Sequence, residues 1–273
     1  MVARIKRLLP KKTKVGHTGT LDPLASGLLV LLIGRSTRLS RYITHLDKAY
    51  TATARFGAVS DTLDAEGEIT ALDTPMPPAD TIRAALPAFT GELLQVPPMV
   101  SALKRGGIRL YALHRQGVTV EREPRPLFVH ALDLLAYDPD NQTATFYVSC
   151  GSGTYVRTLI ADLAHHLGTG AHLTALRRPR VGHLLVERAI PPDDLTLTTL
   201  HNRIIQPSEV VAHLSRVEVG EEVELAVRSG RVLPAQGLGG SFRVEREGAL
   251  LGVYRDAGVE ARAEVVLCGV GRR

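Results

Sequence analysis

Between Leu127 and Gly168 the chain spells two strands and a helix in direct succession, and that order constrains the fold more than any other stretch. Leu127 to Ala136 and Thr143 to Cys150 read as strands joined through Pro139-Asp140-Asn141, which predicts an antiparallel hairpin. A helix follows from Thr154: Val156, Leu159, Ile160, Leu163, Ala164 and Leu167 recur at the i, i+3, i+4 spacing, and Gly168 supplies the stop. A further alternating segment, Lys48 to Phe56, sets Tyr50, Ala52, Ala54 and Phe56 on one face and Thr51, Thr53 and Arg55 on the other. Strands and helices therefore alternate irregularly around at least one hairpin. That pattern predicts an α+β fold with a mixed, mainly antiparallel sheet and flanking helices, not a doubly wound one.

The remaining segments fit around this frame. Val2 to Leu9 has helical spacing and is ended by Pro10. A compact loop, GHTGTLDPLASG, precedes an apolar run from Leu28 to Ile33 that reads as a buried strand. Asp61 to Glu68 reads as a solvated acidic turn, Ala79 to Phe89 as a helix, and Pro97-Pro98 as an extended loop. After about residue 190 the composition shifts, and a short helix is expected over Pro207 to Leu214. The text then becomes short alternating strands with frequent glycine, among them a hairpin around Glu247-Gly248, as in a small all-β barrel. This gives three regions: a main domain over 1–190, a linker with a short helix over 191–212, and a barrel over 213–273.

Composition narrows the function classes. Lys and Arg exceed Asp and Glu by 33 to 28, a net charge of +5 that mildly favours a polyanionic partner. Aromatic residues are only 4% with no Trp, which argues against a broad base-stacking surface, so aromatic chemistry rests on one or two placed tyrosines. Cys150 and Cys268 lack metal-ligand spacing, and His17, His165, His166 and His172 form no ligand motif, so no metal is expected. No apolar run approaches the roughly 20 residues of a spanning helix. The basic N-terminus lacks the apolar stretch of a signal peptide. A cytoplasmic protein without membrane contact is the expectation.

Four residues stand out chemically, each with two readings. Asp22, before Pro23 in a glycine-bracketed loop, is either a turn former or an exposed carboxylate on a rigid mount, suited to nucleophilic attack or to stabilising a glycosyl cation. Arg157, in the first turn of the strongest helix, sits where the helix dipole disfavours a cation. It is either solvated or a partner that keeps a buried carboxylate ionised. Tyr50 is either core packing or a platform for a flipped base, and Tyr155 carries the same ambiguity.

Beyond these residues, GHTGTLDPLASGLL strongly resembles the catalytic motif of the TruB family of tRNA pseudouridine synthases. The chain resembles that family again at KAYTATARFG, SDTLDAEG, QVPPMVSALKRGGIRLYALHRQG, CGSGTYVRTLIADLAHHLGTGAHLTALRR and VERAI, in the family's order over most of residues 1–190. The resemblance implies a pseudouridine synthase fold with a C-terminal PUA-like barrel that binds RNA. It implies isomerisation of uridine 55 in the TΨC loop of tRNA, without a cofactor, by a monomer that meets the T-arm. It places Asp22 on the catalytic aspartate, Tyr50 on the tyrosine against the target base, and Tyr155 and Arg157 on a Tyr-x-Arg whose arginine pairs with the carboxylate. Leu176 falls on the leucine lining the pocket, and His17 on the histidine that enters the RNA loop. Lys11, Lys12, Lys14, Arg177, Arg178 and Arg180 are the basic candidates for phosphate contacts.

The family's N-terminal strand with its Lys-Pro motif is not found before the Val2 to Leu9 helix. That departure predicts an unpaired sheet edge and raises an alternative function, a non-catalytic tRNA-binding or RNA-folding protein.

Overall fold

The alternation over Lys48–Phe56 becomes a strand over those same residues, with Tyr50, Ala52, Ala54 and Phe56 all buried. The structure is a computed structural model that describes residues 1–268, and in it the chain forms two units. One unit holds Leu21–Leu28 and His45–Glu187. The other holds Met1–Thr20, Leu29–Thr44 and the chain from Arg188 onward.

The first unit is organised by a seven-stranded sheet. Its strands are β1 (Ala25–Gly27), β2 (Lys48–Phe56), β3 (Gly91–Gln95), β4 (Arg125–Asp138), β5 (Thr143–Cys150), β6 (Ala171–Val181) and β7 (Leu184–Leu185). Their order is β7-β6-β2-β5-β4-β3, with β1 pairing β6. All neighbours are antiparallel except β1 on β6, so the sheet is mixed and mainly antiparallel as the hairpin pattern predicts. Helix α1 (Val156–His166) lays Leu159, Ile160 and Leu163 into a core with Phe56, Phe146, Val148 and Leu173. Each such side chain contributes about 1.5–3 kcal/mol when fully buried. That core fixes the start of α1, and hence Arg157, relative to the sheet.

Two readings in this unit are corrected. The run Leu28–Ile33 is not one strand. Only Leu31–Ile33 is extended as a strand, paired with Val15–His17 in the other unit, while Leu28 donates its N–H to the Arg178 carbonyl. The acidic turn over Asp61–Glu68 is not wholly solvated, because Asp64 is buried. Ala65 N–H bonds the Leu173 carbonyl and Leu173 N–H bonds the Leu63 carbonyl, so the turn docks on β6 and carries Asp64 inward.

In the second unit the tail sheet has five strands: β8 (Ser215–Glu218), β9 (Leu233–Pro234), β10 (Ser241–Arg246), β11 (Ala249–Ala257) and β12 (Glu260–Val266). Their order is β8-β10-β11-β12-β9. The β10–β11 hairpin turns at Glu247 and Gly248, both at positive φ, as a tight two-residue turn requires. The curled sheet is consistent with a PUA-like domain, with one correction: the tail is not all β. Helix α2 (Glu221–Arg228) packs Val227 against Phe242, Leu251 and Tyr254. The helix expected over Pro207–Leu214 is a single turn, Pro207–Val210. Residues 269–273 of the expected barrel lie outside the described residues. Among the described residues no helix is long and apolar enough to cross a membrane.

Candidate active site

Asp22 and Pro23 open a turn closed by the Ala25 N–H on the Asp22 carbonyl at 2.9 Å. The turn reading and the carboxylate reading of Asp22 thus describe one structure: the turn is the mount. Its far arm, β1, lies parallel to β6 with Ala25 opposite Leu176 and Gly27 opposite Arg178. The mounted side chain stays 35% exposed, and its Oδ2 accepts a hydrogen bond from Arg157 Nε at 2.8 Å.

Arg157 is 2% exposed, and every arm of its guanidinium is used. Nη1 donates to the Thr62 carbonyl at 2.7 Å and lies 3.3 Å from Asp64 Oδ2; Nη2 donates to the Val100 carbonyl at 2.8 Å. A planar fork held at three edges has little freedom to rotate. Its one outward-facing partner is the carboxylate of Asp22. The cation at a helix N-terminus therefore has its reason: two carboxylates and two carbonyls outweigh the unfavourable dipole.

Gln95 sets the start of α1. It ends β3, is 4% exposed, and pairs its amide with the backbone of Tyr155 in both directions. Oε1 accepts from Tyr155 N at 2.9 Å and Nε2 donates to Tyr155 O at 3.1 Å, much as a neighbouring strand would. Tyr155 is the N-cap of α1, two residues before Arg157.

Tyr50 is 8% exposed on the inner face of β2, and Leu176, 6% exposed, lies opposite Ala52 on β6. Burial pushes the phenols of Tyr50 and Tyr155 up, and the Asp22 carboxylate adds to both shifts. Both rings are therefore neutral at pH 7, with apolar faces and hydrogen-bonding tips. Asp22, Arg157, Tyr50, Tyr155 and Leu176 are brought together in this unit. His17 is exposed at the end of the Val15–His17 strand in the other unit. Of the basic candidates, Lys11, Lys12, Lys14 and Arg177 are exposed. Arg180 is half-buried and donates to Ser149 Oγ and the Gly182 carbonyl. Arg178 is 3% exposed, which counts against its reading as a phosphate contact.

Asp64 and Gln95 are the site residues that pattern reasoning missed. Asp64 reads as one of several acids in a polar turn, and a lone amide at a strand end has no periodic signature. The signal available for both is that they lie in SDTLDAEG and QVPPMV, segments already set apart by resemblance. Among the described residues no three His, Cys, Asp or Glu side chains are grouped to hold a metal ion.

Comparison with known proteins agrees with this architecture. Residues 6–156 match the TruB family pseudouridylate synthase N-terminal domain, and residues 157–218 match the tRNA pseudouridylate synthase B C-terminal domain. The chain is 45% identical over 251 residues to tRNA pseudouridine synthase B of Aromatoleum aromaticum, covering 90% of this chain and 81% of that protein. It is also 45% identical over 284 residues to tRNA pseudouridine synthase B of Burkholderia mallei, covering 97% of this chain and 91% of that one. Among solved structures, the Cbf5-Nop10-Gar1 complex matches with a TM-score of 0.73 at 24% identity, over 97% of this chain and 79% of that one. An H/ACA RNP bound to a substrate RNA containing 2'-deoxyuridine matches with a TM-score of 0.71 at 23% identity, over 97% and 79%. These two likenesses show a shared fold.

Proposed function

The chain belongs to the TruB family of pseudouridylate synthases, and we propose that it isomerises uridine to pseudouridine at position 55 in the TΨC loop of tRNA, with Asp22 as the catalytic carboxylate. The observation that carries the assignment is the pairing of a buried, fully engaged Arg157 with a single partly exposed carboxylate. The C1′–N1 bond of the uridine breaks, the freed uracil turns, and C1′ is rejoined through C5; the C5 proton is lost and N1 regains one, so the product is an isomer. Asp22 serves this either as nucleophile at C1′, giving a glycosyl ester, or as base at C2′, giving a glycal. Both routes need the carboxylate ionised, and Arg157 is its ion-pair partner at 2.8 Å. Unlike hydrolysis of a glycoside, the reaction must keep water away and hold the leaving base, so one carboxylate in an apolar pocket suffices.

Tyr50 packs against the extracted base, Leu176 lines the pocket beside it, and Tyr155 takes part in binding the substrate. His17 enters the RNA loop as the base leaves. Unstacking costs on the order of a few kcal/mol, offset by these contacts and by phosphate contacts from exposed Lys11, Lys12, Lys14 and Arg177. Residues 1–190 act as the catalytic part, 191–212 as linker, and 213–273 as the PUA-like RNA-binding part, in a cytoplasmic monomer that needs no cofactor.

The test is pseudouridine formation on an unmodified tRNA transcript by the parent chain and by Asp22→Asn. Product at position 55 from the parent alone, with tRNA affinity of the variant within a few fold, is the expected result. Substantial product from Asp22→Asn removes the assignment of Asp22. Binding without product by the parent turns the reading to a non-catalytic RNA-binding protein.

A further inference from the structure

Arg178 lies on β6, one position from exposed Arg177, yet it is 3% exposed. Its Nε donates to the Leu28 carbonyl at 2.8 Å, and its own carbonyl accepts from Leu28 N–H at 2.7 Å. Leu28 closes the loop that carries Asp22. The strands approach so closely that a Cβ on Gly27 would lie 2.3 Å from the Arg178 carbonyl oxygen. The same guanidinium acts on the Tyr50 hydroxyl, where its charge and hydrogen bonding oppose the upward push of burial on the phenol. Lys48 and Cys150 border this cluster, and Lys48 is a like charge facing Arg178.

A buried cation beside a second buried cation is an unfavourable arrangement unless its hydrogen bonds are needed where they are. Here they join the two walls of the proposed base pocket: the Asp22 loop on one side and the Tyr50 ring on the other. A guanidinium offers donors at fixed angles, so one side chain sets the spacing between both acceptors. Positioning of this kind matters because a misplacement of about 1 Å can reduce turnover about 100-fold.

We propose that Arg178 is a positioning residue for the isomerisation, holding the Asp22 loop and the Tyr50 hydroxyl in one register, and is not a phosphate contact. The inference rests on the uridine-isomerising reading above. The two roles differ in what they move. A phosphate contact supplies affinity, is largely served by any cation, and contributes about one unit to the slope of log affinity against log salt. A positioning role shows in the chemical step and depends on guanidinium shape.

The experiment uses the full chain with Arg178→Lys and Arg178→Met on a tRNA transcript. It measures the single-turnover rate at saturating enzyme, tRNA affinity, and the salt slope. Arg178→Met is expected to lower the saturated rate about 100-fold, with affinity within threefold and the salt slope unchanged. Arg178→Lys, which keeps the charge and guards against a folding defect, is expected to remain at least tenfold slow. In a cycle with Tyr50→Phe the losses are expected to be less than additive. Near-parental rates in Arg178→Lys, or weakened affinity with a salt slope smaller by about one, overturn the proposal while leaving the enzyme reading intact. A parent chain that forms no pseudouridine overturns both.

Discussion

Arg157 Nη1 lies 3.3 Å from Asp64 Oδ2 inside the fold, so the guanidinium that meets Asp22 at its open edge is also neutralised from behind. Asp64 is itself held: its Oδ1 accepts from the Thr62 hydroxyl at 2.7 Å and from Glu66 N–H at 3.1 Å. One cation between two carboxylates suits a reaction in which the outer carboxylate changes state. If Asp22 is esterified or protonated during turnover, Arg157 keeps a charged partner and its place, and no isolated buried cation is created. On the proposed reading, the inner carboxylate steadies the frame while the outer one serves the reaction.

Replacing Asp64 by Ala tests that division. The change leaves Thr62 and Glu66 donors without their acceptor and removes half the counter-charge of Arg157. A stability loss of about 1–3 kcal/mol is expected by urea unfolding. The single-turnover rate should fall at least tenfold, with tRNA affinity nearly unchanged. Unaltered turnover would show that Arg157 needs only Asp22.

Gln95→Ala removes both halves of the clamp on Tyr155, leaving a backbone N–H and carbonyl near the buried start of α1 without partners. The expected loss of stability is about 1–3 kcal/mol. Because Arg157 follows Tyr155 by two residues, the isomerisation rate should drop more than binding. A variant that melts earlier but turns over at the parental rate below its transition would confine Gln95 to folding.

Gly27 has φ +100, and an added Cβ would lie 2.3 Å, 2.8 Å and 2.9 Å from the carbonyl oxygen, nitrogen and carbonyl carbon of Arg178. All three are backbone atoms, so β1 must separate from β6 if Gly27 becomes Ala. Strain of about 1–3 kcal/mol is expected, together with loss of the Leu28–Arg178 pairing. Activity should fall about 100-fold as the Asp22 mount shifts. A thermal melt and an initial rate on the tRNA transcript check both parts.

What the sequence disclosed depended on how local the cause was. The β4–β5 hairpin, α1 and the inner face of β2 are set by turn chemistry and periodicity, so they read off the chain. Asp22 and Arg157 were visible as residues of the right type on rigid mounts, and resemblance joined them. Asp64 was hidden because its burial comes from a long-range event, the docking of the turn on Leu173. Arg178 was hidden because neighbouring strand positions face opposite ways, and the β1 pairing that covers it is not written locally. Helix α2 is short and begins after Gly220, with β-branched Val223 and Val227 on its buried side, a pattern that a strand shares.

Cys150 gives the pH prediction. Burial pushes its thiol from 9.0 up to about 11, against smaller opposing effects from Thr154 and Lys48. In the unfolded chain the thiol ionises first, so between pH 9 and 11 the folded state holds the extra proton. Its contribution is therefore fully favourable below pH 9 and is lost as pH rises to 11, by about 3 kcal/mol over the whole window. Lys48, held below its ordinary 10.5 mainly by burial, acts in the opposite sense, since its folded form releases a proton first. The difference between parent and Cys150→Ala isolates the thiol from that background. Urea unfolding from pH 8 to pH 11 should show the parent losing more stability than the variant across this range. Parallel pH profiles would mean that the buried thiol does not resist ionisation, and that the sheet end beside Tyr50 admits water.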